Sequence, residues 1–245
     1  MRFLRTPSAV MVAVAVTFIL SVPTATAASA RSDKQIAQSG VFQATDLPAT
    51  WKASAKPSPE DPLLLKTARK IPVCKAYLKA RESLAKGTKA ESVDFSLGDD
   101  EMHNSVWVFS GQAAAKQAYA LMTDASVEQC NTEVFEQAFE AKFEDEPTVR
   151  EFRVEVNLVD VSNSPNLAQL GDNASVLAAA VGVAFTSGPN QTVPLLTIVV
   201  RTGRAISSFT LTGGLTASGQ ISDSAYAAYE SAIRAAAGRL QRSLG

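Results

Sequence analysis

Histidine is almost missing from this chain: His103 is the only one in 245 residues. A zinc centre built on several imidazoles is thereby excluded, and no HExxH helix suggests one. Ser-His-Asp catalysis would have to use His103 as its base, and no GxSxG elbow accompanies it. Cysteine is scarce too. Cys74 and Cys130 are the only two, and the lack of a CxxC removes the usual frame for a redox-active pair. An excess of either charge is also lacking, with 23 Lys and Arg against 24 Asp and Glu. Such a balance offers no electrostatic footprint for nucleic acid or an anionic membrane. Finally, no apolar run reaches the length of a membrane-spanning helix.

The longest apolar run, Ala9 to Leu20, has the form of an export signal instead. Arg2 and Arg5 precede it, and Ala25-Thr26-Ala27 and Ala28-Ser29-Ala30 offer small-residue cleavage sites. Residues 1–30 are therefore expected to be a signal peptide, and the mature chain to be secreted, soluble and without a membrane span. No Cys stands near the cleavage site to carry a lipid. Removing Arg2 and Arg5 leaves 21 basic against 24 acidic residues. In an exported chain, Cys74 and Cys130 most simply form one disulfide. Closing that span would stabilise the fold by about 4 kcal/mol in the chain-entropy model.

Residues 31–62 are low in apolar content and read as a mostly extended N-terminal segment. Val41, Phe42, Leu47 and Trp51 are its expected contacts onto the body, and Lys52 to Pro62 reads as an exposed loop. The body, residues 63–245, reads as a single α+β domain. Pro72 fits the first turn of a helix in which Cys74, Tyr77, Leu78, Arg81, Leu84 and Ala85 recur until Gly87. Val93 to Leu97 and Ser105 to Phe109 read as strands about a Gly98-to-Glu101 turn. An Ala-rich helix over 111–124 follows, with Ser110 as cap and Ala114, Ala118, Leu121 and Met122 inward. Ser126 to Gln129 matches a capping box and opens a helix carrying Cys130, Val134, Ala138 and Ala141. Phe152 to Leu158 alternate as an amphipathic strand. A closing helix, capped by Ser222 or Asp223, carries Tyr226, Tyr229, Ile233, Ala236, Leu240 and Leu244.

The stretch Ala174 to Thr212 gives three consecutive antiparallel strands. A two-residue Gly203-Arg204 turn sets Ile198 opposite Phe209 and Leu196 opposite Leu211. A loop over Gly188 to Gln191 sets Val183 opposite Leu196 and Val181 opposite Ile198. These registers put Leu177, Val181, Val183, Phe185, Leu196, Ile198, Val200, Phe209 and Leu211 on one face. The other face then holds Ala178, Ala180, Gly182 and Ala184 beside Thr197, Arg201, Ser208 and Thr210. The element order predicts an α+β fold with a twisted, mainly antiparallel sheet packed by helices.

Chemistry-bearing motifs are few. His103 beside Asp99, Asp100 and Glu101 reads as a solvated hairpin tip, because one turn does not converge ligands on a metal. Ser83-Leu84-Ala85-Lys86, Ser164-Pro165-Asn166 and Arg201-Thr202-Gly203 stand in the order of the SxxK, SxN and KTG motifs of penicillin-recognising enzymes. Here, however, the SxxK falls at the end of its helix, where the lysine would not be desolvated. The acidic run Glu144-Asp145-Glu146 lacks calcium-loop spacing.

A further set has a different character: Asp46-Leu47-Pro48 with Trp51, Cys74 at a helix start, and the Val106-Trp107-Val108-Phe109 strand running into an Ala-rich helix. Cys130, Leu170-Gly171-Asp172 and the Val200-Arg201-Thr202-Gly203 strand end complete it. Together they resemble the extracellular sensor domain of the PknH type, found in actinobacteria on serine/threonine kinases and on free exported proteins. The resemblance implies a single α+β domain with a cleft and a ligand-binding role without catalysis. Two departures stand out. The kinase-borne domains carry two disulfides where this chain can form one, and no kinase or later span is present.

The expected function is that of a secreted, non-catalytic binding or sensor-like protein of the cell envelope, without cofactor or metal. Its partner would be a small or lipidic ligand, or an envelope protein. Thr197, Arg201 and Thr210 are the candidate floor of a ligand pocket, with Arg201 pairing an anionic group. The alternatives are a serine-lysine hydrolase acting through Ser83, and a structural or interaction protein without a small ligand.

Overall fold

A computed structural model describes residues 31–245, except 58–61, 145, 147, 163–166, 168 and 215–219; for 142 and 143 it describes the backbone only. The expected signal peptide at 1–30, the Ser164-Pro165-Asn166 motif and Asp145 of the acidic run lie outside the described residues. The described part of the chain opens with helix α1 (Asp33–Ser39), where the sequence reading expected a mostly extended segment. Ser32 and Gln35 form a capping box that fixes its first turn. A 3-10 turn at Ala44–Asp46 follows, then a short strand β1 (Lys52–Ala53) and helix α2 (Pro62–Ala68). A second 3-10 turn, Pro72–Cys74, leads into α3 (Lys75–Leu84). Three strands follow: β2 (Thr88–Glu91), β3 (Phe95–Leu97) and β4 (Asp100–Val108). Helices α4 (Gln112–Met122) and α5 (Ser126–Phe143) precede β5 (Val149–Asp160), β6 (Asn173–Phe185), β7 (Gln191–Thr202) and β8 (Ala205–Thr212). Helix α6 (Asp223–Leu244), capped by the Ser222 hydroxyl, closes the chain.

The strands make one antiparallel sheet in the order β1-β3-β4-β8-β7-β6-β5, with β2 also paired to β4. This is the α+β architecture that the order of elements predicts. β2 and β3 run along the same edge of β4, and between them the pairing slips by one residue. Glu91 faces Ser105, whereas Phe95 faces Met102, so an extra residue is accommodated over Ser92–Asp94. At the far end, β5 is an edge strand. Its Glu151, Arg153, Glu155 and Asn157 are exposed, and its Val154 and Val156 are buried.

Helix α6 lies on one face of the sheet. Its Ala225, Ala232 and Ala236 have no exposure, and such small side chains let the helix axis come close to the strands. Tyr229 and Ile233 pack with Phe42, Trp51, Phe95, Met102, Ile198, Phe209 and Leu211. The Tyr229 hydroxyl is buried with them and donates to the Phe209 carbonyl at 2.6 Å. Tyr226, expected inward, points out and is half exposed. On the opposite face, Ala115 and Ala118 of α4 cover Phe109, Val199 and Ile206. Phe135 and Phe139 of α5 lie over Val154, Val156, Ala179 and Val181. Cys74 and Cys130 form the expected disulfide, buried with Ala68, Ile71 and Val134.

One register differs from the sequence reading. Ile198 faces Phe209 and Leu196 faces Leu211 as expected. Leu196, however, faces Ala178, and Val183 faces Gln191. The β6 strand is thus displaced by five residues, an odd number, which turns its side chains over. Ala178, Ala180 and Gly182 share the α6 side with Leu196, whereas Leu177 and Val181 lie under α5 with Val183 on that same side. Alternation alone does not specify the register here, because both sides of β6 are packed in part.

Replacing both cysteines by Ala is expected to lower stability by about 4 kcal/mol, measured by urea unfolding of the oxidised and variant proteins. Burial pushes the Tyr229 phenol well above its ordinary range, and that of Tyr119 upward too. These groups bind their protons more tightly folded than unfolded. Their contribution is therefore complete below about pH 10, the unfolded tyrosine value, and declines as the pH rises beyond it. Melting curves above that pH should show the decline, and Tyr229→Phe should reduce its slope.

Candidate functional site

Thr197 and Thr210 do sit side by side, with their hydroxyl oxygens 3.2 Å apart. Across the sheet they belong to a row in which His103 faces Thr210 and Leu177 faces Thr197. Arg201 lies on the same face, four residues along β7, in a different setting. Its side chain is only 7% exposed. Nε and one terminal nitrogen donate to Asn173 Oδ1 at 3.0 and 2.7 Å, and the other donates to Asp172 Oδ2 at 2.7 Å and to the Gly203 carbonyl at 3.1 Å.

These bonds explain two of the sequence motifs together. Asp172 also accepts from the Gly203 backbone N–H at 2.9 Å, and its own N–H donates to the Arg201 carbonyl at 2.7 Å. Thr202 Oγ1 donates to the Leu170 carbonyl. A Cβ on Gly171 would lie 2.5 Å from the Arg201 carbonyl oxygen, so only glycine fits that approach. Gly203 supplies the left-handed turn at φ +56°. Leu170-Gly171-Asp172 and Arg201-Thr202-Gly203 therefore interlock, and the charge of Arg201 is held by Asp172 rather than directed to an open pocket.

The SxxK motif of the serine-lysine reading does not carry a buried lysine. Lys86 is exposed beyond the end of α3, where water solvates its ammonium. Tyr119 of α4 shares a hydrogen bond with Ser175 at 2.8 Å, and its upward shift comes first from burial.

Concave surface is found elsewhere. A groove of about 580 Å³ runs between α1 and the last turns of α6, lined by Arg31, Gln35, Ser39, Arg239, Arg242 and Ser243. Its wall is built on hydrogen bonds. Arg239 donates to the Ser39 and Val41 carbonyls at 3.0 and 2.8 Å and grips both oxygens of the buried Asp46 carboxylate. Arg204 joins Asp33 of α1 to the Phe109 carbonyl, at 2.7 Å each. Below them, the fully buried Asn104 accepts from the Phe42 N–H at 2.7 Å and donates to the Gly40 carbonyl at 2.9 Å. Arg31 and Arg242 are exposed, and Arg31 donates to the Ser243 hydroxyl at 2.5 Å.

A second hollow, about 420 Å³, has the opposite character. Asp99, Asp100, Ser222 and Asp223 line it at the β3–β4 turn and the start of α6. The Ser222 hydroxyl that caps α6 also donates to Asp100 Oδ2 at 2.8 Å. None of Thr197, Arg201 and Thr210 lines either concavity. The sequence reading missed the Arg31–Arg242 groove because it left α1 extended. The Ser32-to-Gln35 capping box was the signal available.

Replacing Arg201 by Met should cost about 2–4 kcal/mol, since the Asp172 and Asn173 acceptors lose their shared donor. Urea unfolding measures it. Asp172→Asn should cost less, because half of that side chain is exposed and Asn173 remains.

Among solved structures, the chain is similar to the extracellular domain of PknH from Mycobacterium tuberculosis, at 9% sequence identity and a TM-score of 0.38. The similarity covers 83% of this chain and 95% of that one. At that level it does not establish a shared fold. No protein-family model matches the chain, and no curated protein does.

Proposed function

We propose that this chain is a non-catalytic binding protein of the extracytoplasmic space that holds an anionic group in the groove between α1 and α6. The observation that carries the reading is the groove's composition: the exposed Arg31 and Arg242 stand with a glutamine and two serines around Arg239, whose own charge Asp46 holds. Guanidinium groups keep their protons at any physiological pH, and among the described residues no carboxylate, imidazole or lysine lines the groove. Such a surface binds charge and has no group to take up or release a proton, which favours recognition over acid–base chemistry. The volume suits a small molecule or a lipid headgroup, and the disulfide fits an oxidising compartment.

Arg239 is already fixed by Asp46, so its position is set before any ligand arrives. Arg31 and Arg242 supply charge at the rim. The overall acidic balance of the chain does not oppose this reading, because a groove of one sign acts locally within a screening length of about 8 Å at physiological salt.

Isothermal titration of the purified protein with inorganic phosphate and with phosphatidylglycerol vesicles, beside phosphatidylcholine vesicles, tests the reading. Binding to either anionic probe should weaken roughly tenfold in the Arg31→Ala/Arg242→Ala variant, and rising salt should weaken it further. Phosphate alone points to a soluble ligand, and phosphatidylglycerol alone to a headgroup. Binding to neither probe, or equal binding by the variant, overturns it.

A further inference from the structure

The face of the sheet opposite α6 carries a cluster that sequence spacing conceals. His103 and Glu101 are two residues apart on β4 and so project from one side. The irregular edge between β2 and β3 brings in a third group. Continuing the β3–β4 pairing one step beyond Phe95 and Met102 sets Asp94 against His103. The Asp94 carboxylate is 10% exposed, and its Oδ1 lies 3.9 Å from His103 Nδ1. One donor atom from each of Asp94, Glu101 and His103 lies within 4.8 Å of the others.

Asp94 is held at that position by its backbone. Its N–H donates to Ser54 Oγ at 3.1 Å, and its carbonyl accepts from the Ser54 N–H at 2.8 Å. The 3.9 Å between imidazole and carboxylate exceeds hydrogen-bond reach. Two donors that share a tetrahedral cation with bonds of about 2.0–2.2 Å stand about 3.3–3.6 Å apart, so a shift of a few tenths of an ångström closes the pair on an ion. Glu101 is exposed, so rotation of its side chain brings its carboxylate the remaining distance.

We propose that Asp94, Glu101 and His103 form a binding site for a divalent first-row transition metal, with Zn(II) as the best-matched ion. One imidazole nitrogen and two carboxylate oxygens suit Zn(II), whereas Ca(II) and Mg(II) take oxygen donors and Cu(I) takes sulfur. The imidazole separates this cluster from the hollow at Asp99, Asp100 and Asp223, whose charged groups are all carboxylates. Three protein donors leave one tetrahedral position for water or for a ligand's own anionic group. The site is independent of the groove between α1 and α6, which shares no residue with it.

The single histidine makes the test direct, because its imidazole signals in the NMR spectrum need no assignment. Titrating Zn(II) into chelator-treated protein should shift those signals with saturation at one equivalent. Calorimetry should show one site whose affinity drops roughly tenfold or more in His103→Gln and in Glu101→Gln. Glu101 is exposed, so its variant serves even if the His103 change perturbs folding. Imidazole signals that stay fixed at one equivalent overturn the proposal. So does unsaturable binding, or binding that both variants retain in full.

Discussion

The amide of Asn104 holds the N-terminal segment to the sheet, and much of the rest depends on that bond pair. An asparagine with no exposure on an apolar sheet face is costly unless its donors and acceptors are met. Here they are met by Gly40 and Phe42, from a stretch of chain more than sixty residues away. Phe42 then enters the core against Phe209 and Tyr229, and α1 is brought beside the end of α6. Without this attachment, Arg239 would lose the Ser39 and Val41 carbonyls as partners, and the groove would lose one wall. A single buried polar side chain thus connects the core to the surface on which the proposed function rests.

Arg201 illustrates how a polar residue in a sheet finds partners within its own chain. Its type and position suggest an anion receptor, and an anion does receive it. That anion is Asp172 of the same chain, reached through a glycine that permits backbone contact and a turn that supplies a further donor. The proposed ligand-binding charges are instead Arg31 and Arg242, at opposite ends of the described residues. Both lie outside the stretch where apolar patterning is strongest.

Much of the architecture was legible because local signals agreed with one another. The β7–β8 turn is short and contains a glycine in the left-handed region, so its register follows from the residues alone. Helix α6 has a stripe of small and large apolar residues at helical spacing, and two cysteines leave one pairing. The β6–β7 register was not legible, since the connecting loop is longer and each side of β6 meets apolar neighbours. Asp94 was equally hidden. It stands nine residues from His103, and only the interrupted pairing along β4 shows that they meet. The groove was hidden for a similar reason, because its halves come from opposite ends of the chain.

The sheet is open, and β5 presents a twelve-residue border with no strand beyond it among the described residues. Backbone amides left unpaired along such a border are a template on which another chain can add, and at Leu158 the Glu128 carboxylate of α5 already takes the N–H at 3.0 Å. Glu151, Arg153 and Glu155 stand along it with their side chains in water, so an arriving strand must strip solvent from three charges before it gains a ladder of hydrogen bonds. Arg153 and Glu155 pair with each other at 2.8 Å, yet these residues matter here for their charge rather than for that contact. They set the concentration that the protein can reach before its own edges begin to join.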